Sequence, residues 1–350
     1  MSFSVFSNPS FLIPPEIAHR LAIFVLKQGI YSSSRRKMPE CLCTQPLNFR
    51  VRTPVGLAAG FDKNAEVIKS VMSLGFGFSE VGTVTRKPQT GNSGSRIFRI
   101  PAQKAIVNRL GFNNKGLKHL LKKIDSKDLN NLVFGINVGM NKDCTDPAAE
   151  YAGMVRDVYG LSSYITINLS SPNTAGLRVL QRRESLCEIL SSVASARRAV
   201  DQAESVPVLL KMDPDLPDEM LQDIVDEVLK HRINGIIVSN TTTNFKLLKT
   251  AAPAKSGGLS GQPLFSLSTR VLADVYSLTR GKVVLIGCGG VSSGAQALEK
   301  IRAGASLVQL YTALVYEGFG VVDRINTELA ELLTRDGFTK VEQAVGVDVQ

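Results

Sequence analysis

From about residue 54 onward the chain repeats one unit: a short run of β-branched and apolar residues, a polar or glycine-containing loop, then a longer stretch of helical periodicity. Eight such runs occur, at Val55–Ala59, Ser79–Val84, Val133–Val138, Tyr164–Leu169, Pro207–Met212, Gly235–Ser239, Val283–Ile286 and Leu307–Leu310. Their apolar character is continuous rather than alternating, which is what strands covered on both faces require. Eight strand-and-helix units predict an α/β chain folded as a (β/α)8 TIM barrel, with a doubly wound sheet as the alternative. The polar residues favour the barrel. Gly60 to Lys63, Asn137, Asn168 to Asn173, Lys211, Asn240-Thr241, Gly289-Gly290 and Tyr311-Thr312 all fall at or just past the C-terminal ends of runs. In a barrel those ends converge on one mouth, whereas an open sheet would carry the outer ones away from its single crevice.

The first part of the chain is different. Pro14-Pro15-Glu16 precede an amphipathic stretch from Ile17 to Leu26, opened by proline at the first helical turn. Six Lys and Arg between Arg20 and Arg50 outweigh Glu16 and Glu40. An apolar face with basic flanks reads as a helix lying in a membrane interface; a helix closing the bottom of the barrel is the other reading. Either way the chain divides into a small helical extension over residues 1–45 and a barrel over 46–350, the first expected as the membrane-associating part and the second as the catalytic one if the interfacial reading holds. No apolar run approaches the ~18 residues of a membrane span. The first Arg is Arg20, unlike an Arg-rich transit peptide.

Composition narrows the function. With 350 residues, 44% hydrophobic and 21% charged, the chain is globular rather than disordered. Forty-one Lys and Arg against 31 Asp and Glu favour anionic partners. There is no Trp, only 6% aromatic residue and no recognition motif, so nucleic acid is not expected among them. Five scattered Cys suit a reducing compartment, and His19, His119 and His231 show no short metal-ligand spacing, so no metal is expected.

Three groups of residues carry chemistry. Gly257 to Gly261 follow the sixth run, and Gly289-Gly290 end the seventh before a helix starting near Ser292 or Ser293. Backbone amides at such turns cradle phosphate, and barrels place that site after the seventh and eighth strands. Asn108, Asn137, Asn168, Asn173 and Asn240 each offer a donor and an acceptor, suited to the edge of a planar heterocycle. Lys63 and Lys211 add fixed charge, of a kind that can stabilise a reduced, anionic ring or hold a carboxylate; a solvated loop charge is the other reading of each. The third group is Ile167 to Thr174, where Ser171 stands beside Pro172 and between asparagines. No neighbouring His completes a hydrolase triad, so a hydroxyl here needs local electrostatics or a relay to act as a base.

These motifs together resemble the quinone-linked, membrane-associated class 2 dihydroorotate dehydrogenases. The similar stretches are Pro54 to Lys63, Gly75 to Phe78, Glu80 to Thr85, Arg96 to Arg99, Asn108 to Asn113, Asn168 to Leu177, Gly257 to Pro263, Ile286 to Gly294 and Ala303 to Tyr311, with Ala18 to Leu21 in the extension. The resemblance covers nearly the whole chain. It implies an FMN-dependent barrel that oxidises dihydroorotate to orotate in pyrimidine synthesis and is reoxidised by ubiquinone or another membrane quinone. Ser171 is implied as the base at substrate C5; class 1 enzymes have Cys there and lack the extension. Implied FMN contacts are Ala59, Gly60, Phe61, Asp62, Lys63, Thr83, Asn137, Asn168, Lys211, Ser239, Gly261, Gly290, Tyr311 and Thr312. Implied substrate contacts are Lys63, Asn108, Arg109, Leu110, Gly111, Phe112, Asn168, Asn173, Asn240 and Thr241. The apolar face of residues 11–26 is implied to admit the quinone tail, with His19 and Arg99 in the tunnel, on a peripheral protein at the cytoplasmic side of a bacterial inner membrane. A related barrel using fumarate or NAD, or a non-catalytic membrane-binding barrel, are the alternatives. Three positions depart from the family pattern: Met140 stands where Lys is usual, Ser239 where Thr is commoner, and Asp213 where an apolar or small residue is expected. Strand parity puts Asp213 on the same side as Lys211, where it could pair with it, unless the turn at Pro214 re-aims it.

Overall fold

The computed structural model describes residues 13–31, 33, 37–124, 129, 131–254 and 256–349. Residues 1–12, which include the start of the apolar face read from the sequence, lie outside the described residues, as do Arg35 and Arg36.

Eleven strands occur among them, in chain order β1 (Val55–Leu57), β2 (Phe78–Val84), β3 (Ile97–Ile100), β4 (Ala105–Asn108), β5 (Phe134–Val138), β6 (Tyr164–Asn168), β7 (Val208–Met212), β8 (Gly235–Val238), β9 (Gly258–Gly261), β10 (Val284–Cys288) and β11 (Leu307–Leu310). Eight of these, β1, β2, β5, β6, β7, β8, β10 and β11, close into a parallel barrel, and each corresponds to one apolar run of the sequence. The chain is a (β/α)8 TIM barrel.

The remaining three strands form an antiparallel sheet in the order β3-β4-β9, which the apolar-run pattern does not show. It includes Gly258 to Gly261, read from the sequence as a phosphate-binding turn and here paired with Ala105 to Asn108.

The helices are α1 (Pro15–Lys27), α2 (Ile68–Ser73), α3 (Leu117–Lys123), α4 (Pro147–Val158), α5 (Arg183–Val200), α6 (Asp218–Lys230), α7 (Phe265–Thr279), α8 (Gly294–Arg302), α9 (Thr312–Glu317) and α10 (Val321–Arg335). None is long and apolar enough to cross a membrane. Helix α8 starts where the sequence indicated, with the Ser293 side chain accepting the Gln296 N–H as its N-cap.

Alternation along the strands sorts the barrel interior into layers. Near the N-terminal end, Phe78, Tyr164, Leu209, Ile237, Ile286 and Leu307 pack with Val51. Phe49 stacks on Tyr164 at 5.7 Å, so the chain just before β1 plugs the bottom of the barrel. Two residues further up from Phe78, Tyr164 and Leu307, the interior holds Glu80, Thr166 and Gln309, all buried. Above these the polar residues at the strand ends reach the mouth.

Helix α1 is at the mouth and not at the bottom. Its Ile23 and Leu26 are buried against the outer cluster that contains Phe61 and Val71. Ser70 Oγ donates to the Leu26 carbonyl at 2.8 Å, Lys27 pairs with Glu66 at 3.2 Å, and Arg96 forms an ion pair with Glu16. Its other face leaves Ile17, Leu21 and Phe24 about half exposed.

Candidate active site

One cavity of about 450 Å³ opens at the C-terminal ends of the strands and continues beneath α1. Its inner part is built by parity. Asn168 and Lys211 are register partners on β6 and β7, so their side chains share the barrel interior. Thr83, Asn168, Ser171, Lys211 and Ser239 line this part, and all are buried.

The amides and hydroxyls hold one another in place. Thr83 Oγ1 donates to Asn137 Oδ1 at 2.6 Å, and Asn168 Nδ2 reaches Thr83 Oγ1 at 3.0 Å and Asn137 Oδ1 at 3.2 Å. Asn137 Nδ2 donates to Glu80 Oε1 at 2.7 Å, and the other Glu80 oxygen accepts from Gln309 Nε2 at 2.9 Å and Tyr164 Oη at 3.1 Å. This network descends from the cavity floor into the barrel and fixes the orientation of Asn168. Asn240 Nδ2 donates to Ser170 Oγ at 3.0 Å, while Asn173 Nδ2 donates to Asn108 Oδ1 at the same distance. The Asn173 N–H points at Ser171 Oγ, 3.3 Å away.

Lys211 is different from these. It lines the cavity and is buried, yet no acceptor or carboxylate pairs with its Nζ among the described residues. Asp213 does not supply one: its carboxylate pairs with Arg178 and accepts the Asp215 N–H at 2.9 Å. Of the two outcomes open for Asp213, the structure has the re-aiming at the turn and not the pairing with Lys211. Strand β7 ends at Met212, and the chain then turns Asp213 toward the short helical segment that carries Arg178. Burial pushes the Asp213 carboxyl up to about 7, against the pull of that guanidinium.

Glycine builds the wall after β10. Gly289 and Gly290 take positive φ, and a Cβ on Gly290 would sit 2.5 Å from that of Phe265. Gly261, also at positive φ, closes the same side with Tyr311 and Thr312. Such close backbone walls leave amides rather than side chains to meet a ligand.

Lys63 donates to the Gly60 carbonyl at 2.6 Å, and burial pushes its ammonium down to about 8, with Arg96 adding to the shift. Ala59, Gly60, Phe61, Asn108, Leu110, Gly111, Phe112, Asn173, Asn240 and Thr241 line the cavity with it. Three residues named from the sequence do not. Asp62 is buried with its carboxylate accepting the Glu66 and Val67 N–H groups at 2.7 and 2.8 Å, which shapes the loop after β1. Asn137 is in the supporting network, and Arg109 donates to the Ser93 and Ser95 carbonyls.

The outer part of the cavity is apolar and lies under α1. Pro15, Ala18, His19 and Ala22 face Ile97, Arg99 and Ile106 of the small sheet. His19 meets Phe61 edge-on at 5.4 Å, and Phe61 meets Tyr311 at 5.8 Å, so a line of rings joins the two parts. Burial, with Lys63 and Arg20 nearby, pushes His19 down to about 3, which leaves it neutral. Arg99 donates to the Ile13 carbonyl.

Sequence reasoning missed Glu80, the small sheet and Cys288, which lines the cavity at the end of β10. The sheet left only one signal, a hairpin spacing, since segments 97–100 and 105–108 are separated by four residues, and Arg99 interrupts the apolar character of the first. Glu80 had none beyond being an acid inside an apolar run.

Residues 41–333 match the family model described as dihydroorotate dehydrogenase. The chain belongs to the dihydroorotate dehydrogenase family. It is 46% identical over 339 residues to a dihydroorotate dehydrogenase (quinone) of Parvibaculum lavamentivorans, covering 97% of this chain and 96% of that one. A mitochondrial dihydroorotate dehydrogenase (quinone) of Mus musculus is 45% identical over 96% of this chain and 87% of its own. Among solved structures, DHODH from Eimeria tenella in complex with ferulenol superposes with a TM-score of 0.90 at 37% identity, covering 95% of both chains.

Proposed function

We propose that this chain oxidises dihydroorotate to orotate with FMN as its resident cofactor, and that a membrane quinone takes the electrons. The observation that carries this reading is the single cavity joining Ser171 and unpaired Lys211 to the apolar space under α1. The quinone named in its relatives supports the choice of acceptor.

The residues present suit FMN. Lys211 brings a buried ammonium with no partner among the described residues, Asn168 and Thr83 offer amide and hydroxyl groups, and Gly261 and Gly290 leave room for a phosphate against backbone. Ala59, Gly60, Phe61, Ser239, Tyr311 and Thr312 complete the surround, with Asp62 and Asn137 acting from behind. When bound, FMN supplies the acceptor for hydride from C6 and relays the electrons to quinone.

The protein's share of the reaction is positioning and proton transfer. Lys63 holds the substrate carboxylate, and Asn108, Asn173, Asn240 and Thr241 read the ring's C=O and N–H groups. Leu110, Gly111 and Phe112 close the pocket over it, while Arg109 braces the loop through Ser93 and Ser95. Ser171 Oγ takes the C5 proton as its own hydroxyl proton passes out to solvent, and the Asn173 N–H directed at the oxygen stabilises the negative charge it carries between the two transfers. Low accessibility around Ser171 keeps water from competing.

Residues 1–45 serve as the membrane- and quinone-facing unit, and 46–350 as the catalytic barrel. Exposed Ile17, Leu21 and Phe24, with Arg20 and Lys27 on the same helix, suit the surface of an anionic bilayer. The proposed location is the cytoplasmic side of a bacterial inner membrane, with His19 and Arg99 along the quinone's path. The test is the visible spectrum of the purified protein under anaerobic conditions. Dihydroorotate should bleach a yellow protein, and a ubiquinone analogue should restore the colour. Bleaching without recovery would move the oxidant to fumarate or NAD, and a flavin indifferent to dihydroorotate would remove the substrate assignment.

A further inference from the structure

On the outer face of the barrel, outside the cavity, α5 and α6 bring three ligand-type atoms together. Cys187 Sγ on α5 lies 3.7 Å from His231 Nε2, at the C-terminal end of α6, and the same Nε2 lies 3.2 Å from Glu227 Oε2. All three atoms lie within 4.8 Å of one another. Glu227 is buried, and Cys187 and His231 are half-buried.

A thiol–imidazole–carboxylate relay needs both ring nitrogens, one toward each partner. Here thiol and carboxylate meet the same nitrogen, so the groups converge on a point instead of forming a chain. Tetrahedral zinc, with bonds of about 2.3 Å to sulfur and about 2.0 Å to nitrogen or oxygen, sets neighbouring ligand atoms roughly 3.3–3.5 Å apart. The two separations, 3.2 and 3.7 Å, bracket that range.

We propose that Cys187, Glu227 and His231 form a three-ligand site for a thiol-seeking divalent cation of the zinc class, with water as the fourth ligand. A cation already sits there. Lys230 Nζ is 3.2 Å from Cys187 Sγ and 3.0 Å from Glu227 Oε2, but its side chain is 56% exposed and free to swing into solvent. Arg183 approaches the other carboxylate oxygen, Oε1, at 3.5 Å, which leaves Oε2 to the metal. On binding, the Cys187 thiol gives its proton to solvent, a metal–sulfur bond forms, and Lys230 leaves still protonated. The bound metal staples α5 to α6. The separation of 44 positions between Cys187 and His231 puts this pairing beyond any short ligand spacing in the sequence.

The test uses the full chain with its cofactor and cobalt(II) as a probe, because thiolate-bound tetrahedral cobalt absorbs in the red, away from a flavin. Wild type should develop that absorption, and zinc should abolish it and raise the Tm. Cys187→Ser and His231→Gln should each weaken the site by at least about tenfold, and Lys230→Gln should tighten it by removing the competing ammonium. Absence of the red absorption at millimolar cobalt overturns the site. So does absorption that persists in both ligand variants, which would assign the metal to Cys41 and Cys43 instead. Should Cys187→Ser fail to fold, His231→Gln decides alone.

Discussion

At the inner end of the cavity, Asn168 and Lys211 project from strands hydrogen-bonded on both sides within a closed barrel. At the outer end, Pro15, Ala18, His19 and Ala22 belong to one 13-residue helix docked by two buried side chains and a few polar contacts. Local opening is costly in the first setting and cheap in the second. A small rigid substrate profits from fixed geometry, because misplacement of reacting groups costs rate steeply. A long apolar tail needs a wall that can yield. On the proposed function, the two ends divide precision and access between parts of the fold that differ in local stability, so each should be open to perturbation without the other.

The largest separation should come from Ser171→Ala. Removing a general base costs about 10²-fold or more, so bleaching by dihydroorotate should slow by that factor while reoxidation by quinone is unchanged. Stopped-flow measurement of each half-reaction reads the two ends independently. Near-normal bleaching would take the proton transfer away from Ser171.

Lys63 should give the next largest effect, again confined to the inner end. A hydrogen-bonded charge contributes about 1.5–3 kcal/mol, so Lys63→Met should raise KM for dihydroorotate by roughly 10- to 100-fold. The ammonium is depressed to about 8 by burial, so it is a cation below that pH and loses its charge above it. KM of the wild type should accordingly climb as pH passes about 8, and Lys63→Arg should flatten the climb, since guanidinium stays charged. A wild-type KM that is level well above that pH would assign the carboxylate to another partner.

Legibility in the sequence follows the same division. The barrel strands could be read because a strand covered on both faces must be apolar throughout, and the inner site could be read because its polar residues interrupt that rule at one end of every strand. The small sheet could not. Arg99 breaks the apolar run of β3, and β9 is Gly-Leu-Ser-Gly, which has the composition of a turn and becomes a strand only by pairing with β4, some 150 residues earlier. Glu80 is intelligible only once Asn137, Tyr164 and Gln309 surround it, and those are 57 to 229 residues away. Asp213 shows the limit of parity, which applies inside a strand and lapses at its end, where Arg178 captures the carboxylate. Amphipathicity gives a helix two faces without saying where it docks, so the sequence leaves α1 open between membrane face and barrel bottom.

At the outer end, Ala22→Trp should fill the space beneath α1 and leave the inner end alone. Reoxidation by a long-tailed quinone should slow about tenfold or more, the effect of losing some 1.4 kcal/mol of quinone binding, while a small soluble dye should still reoxidise the protein normally. Equal slowing with the dye would mean that the substitution reaches the flavin end. Unchanged quinone kinetics would remove the path under α1.

The smallest effect should distinguish how α1 is held. Arg96 keeps the Glu16 carboxylate below its ordinary 4.5, so their pairing favours the docked helix. Because the docked value is the lower one, this contribution is complete above about pH 4.5 and is lost as pH falls through the depressed value. The pair is partly exposed, which limits it to about 0.5–1 kcal/mol. Glu16→Gln should therefore speed hydrogen exchange of the α1 amides by only a few-fold at neutral pH, leave the β6 and β7 amides unchanged, and give no further loss on acidification. A wild-type helix whose protection matches that of the variant at neutral pH would mean that Ile23, Leu26 and the contacts of Ser70 and Lys27 hold α1 without the Glu16–Arg96 pair. A variant that loosens β6 as well would couple the two ends of the cavity and undo their division of labour.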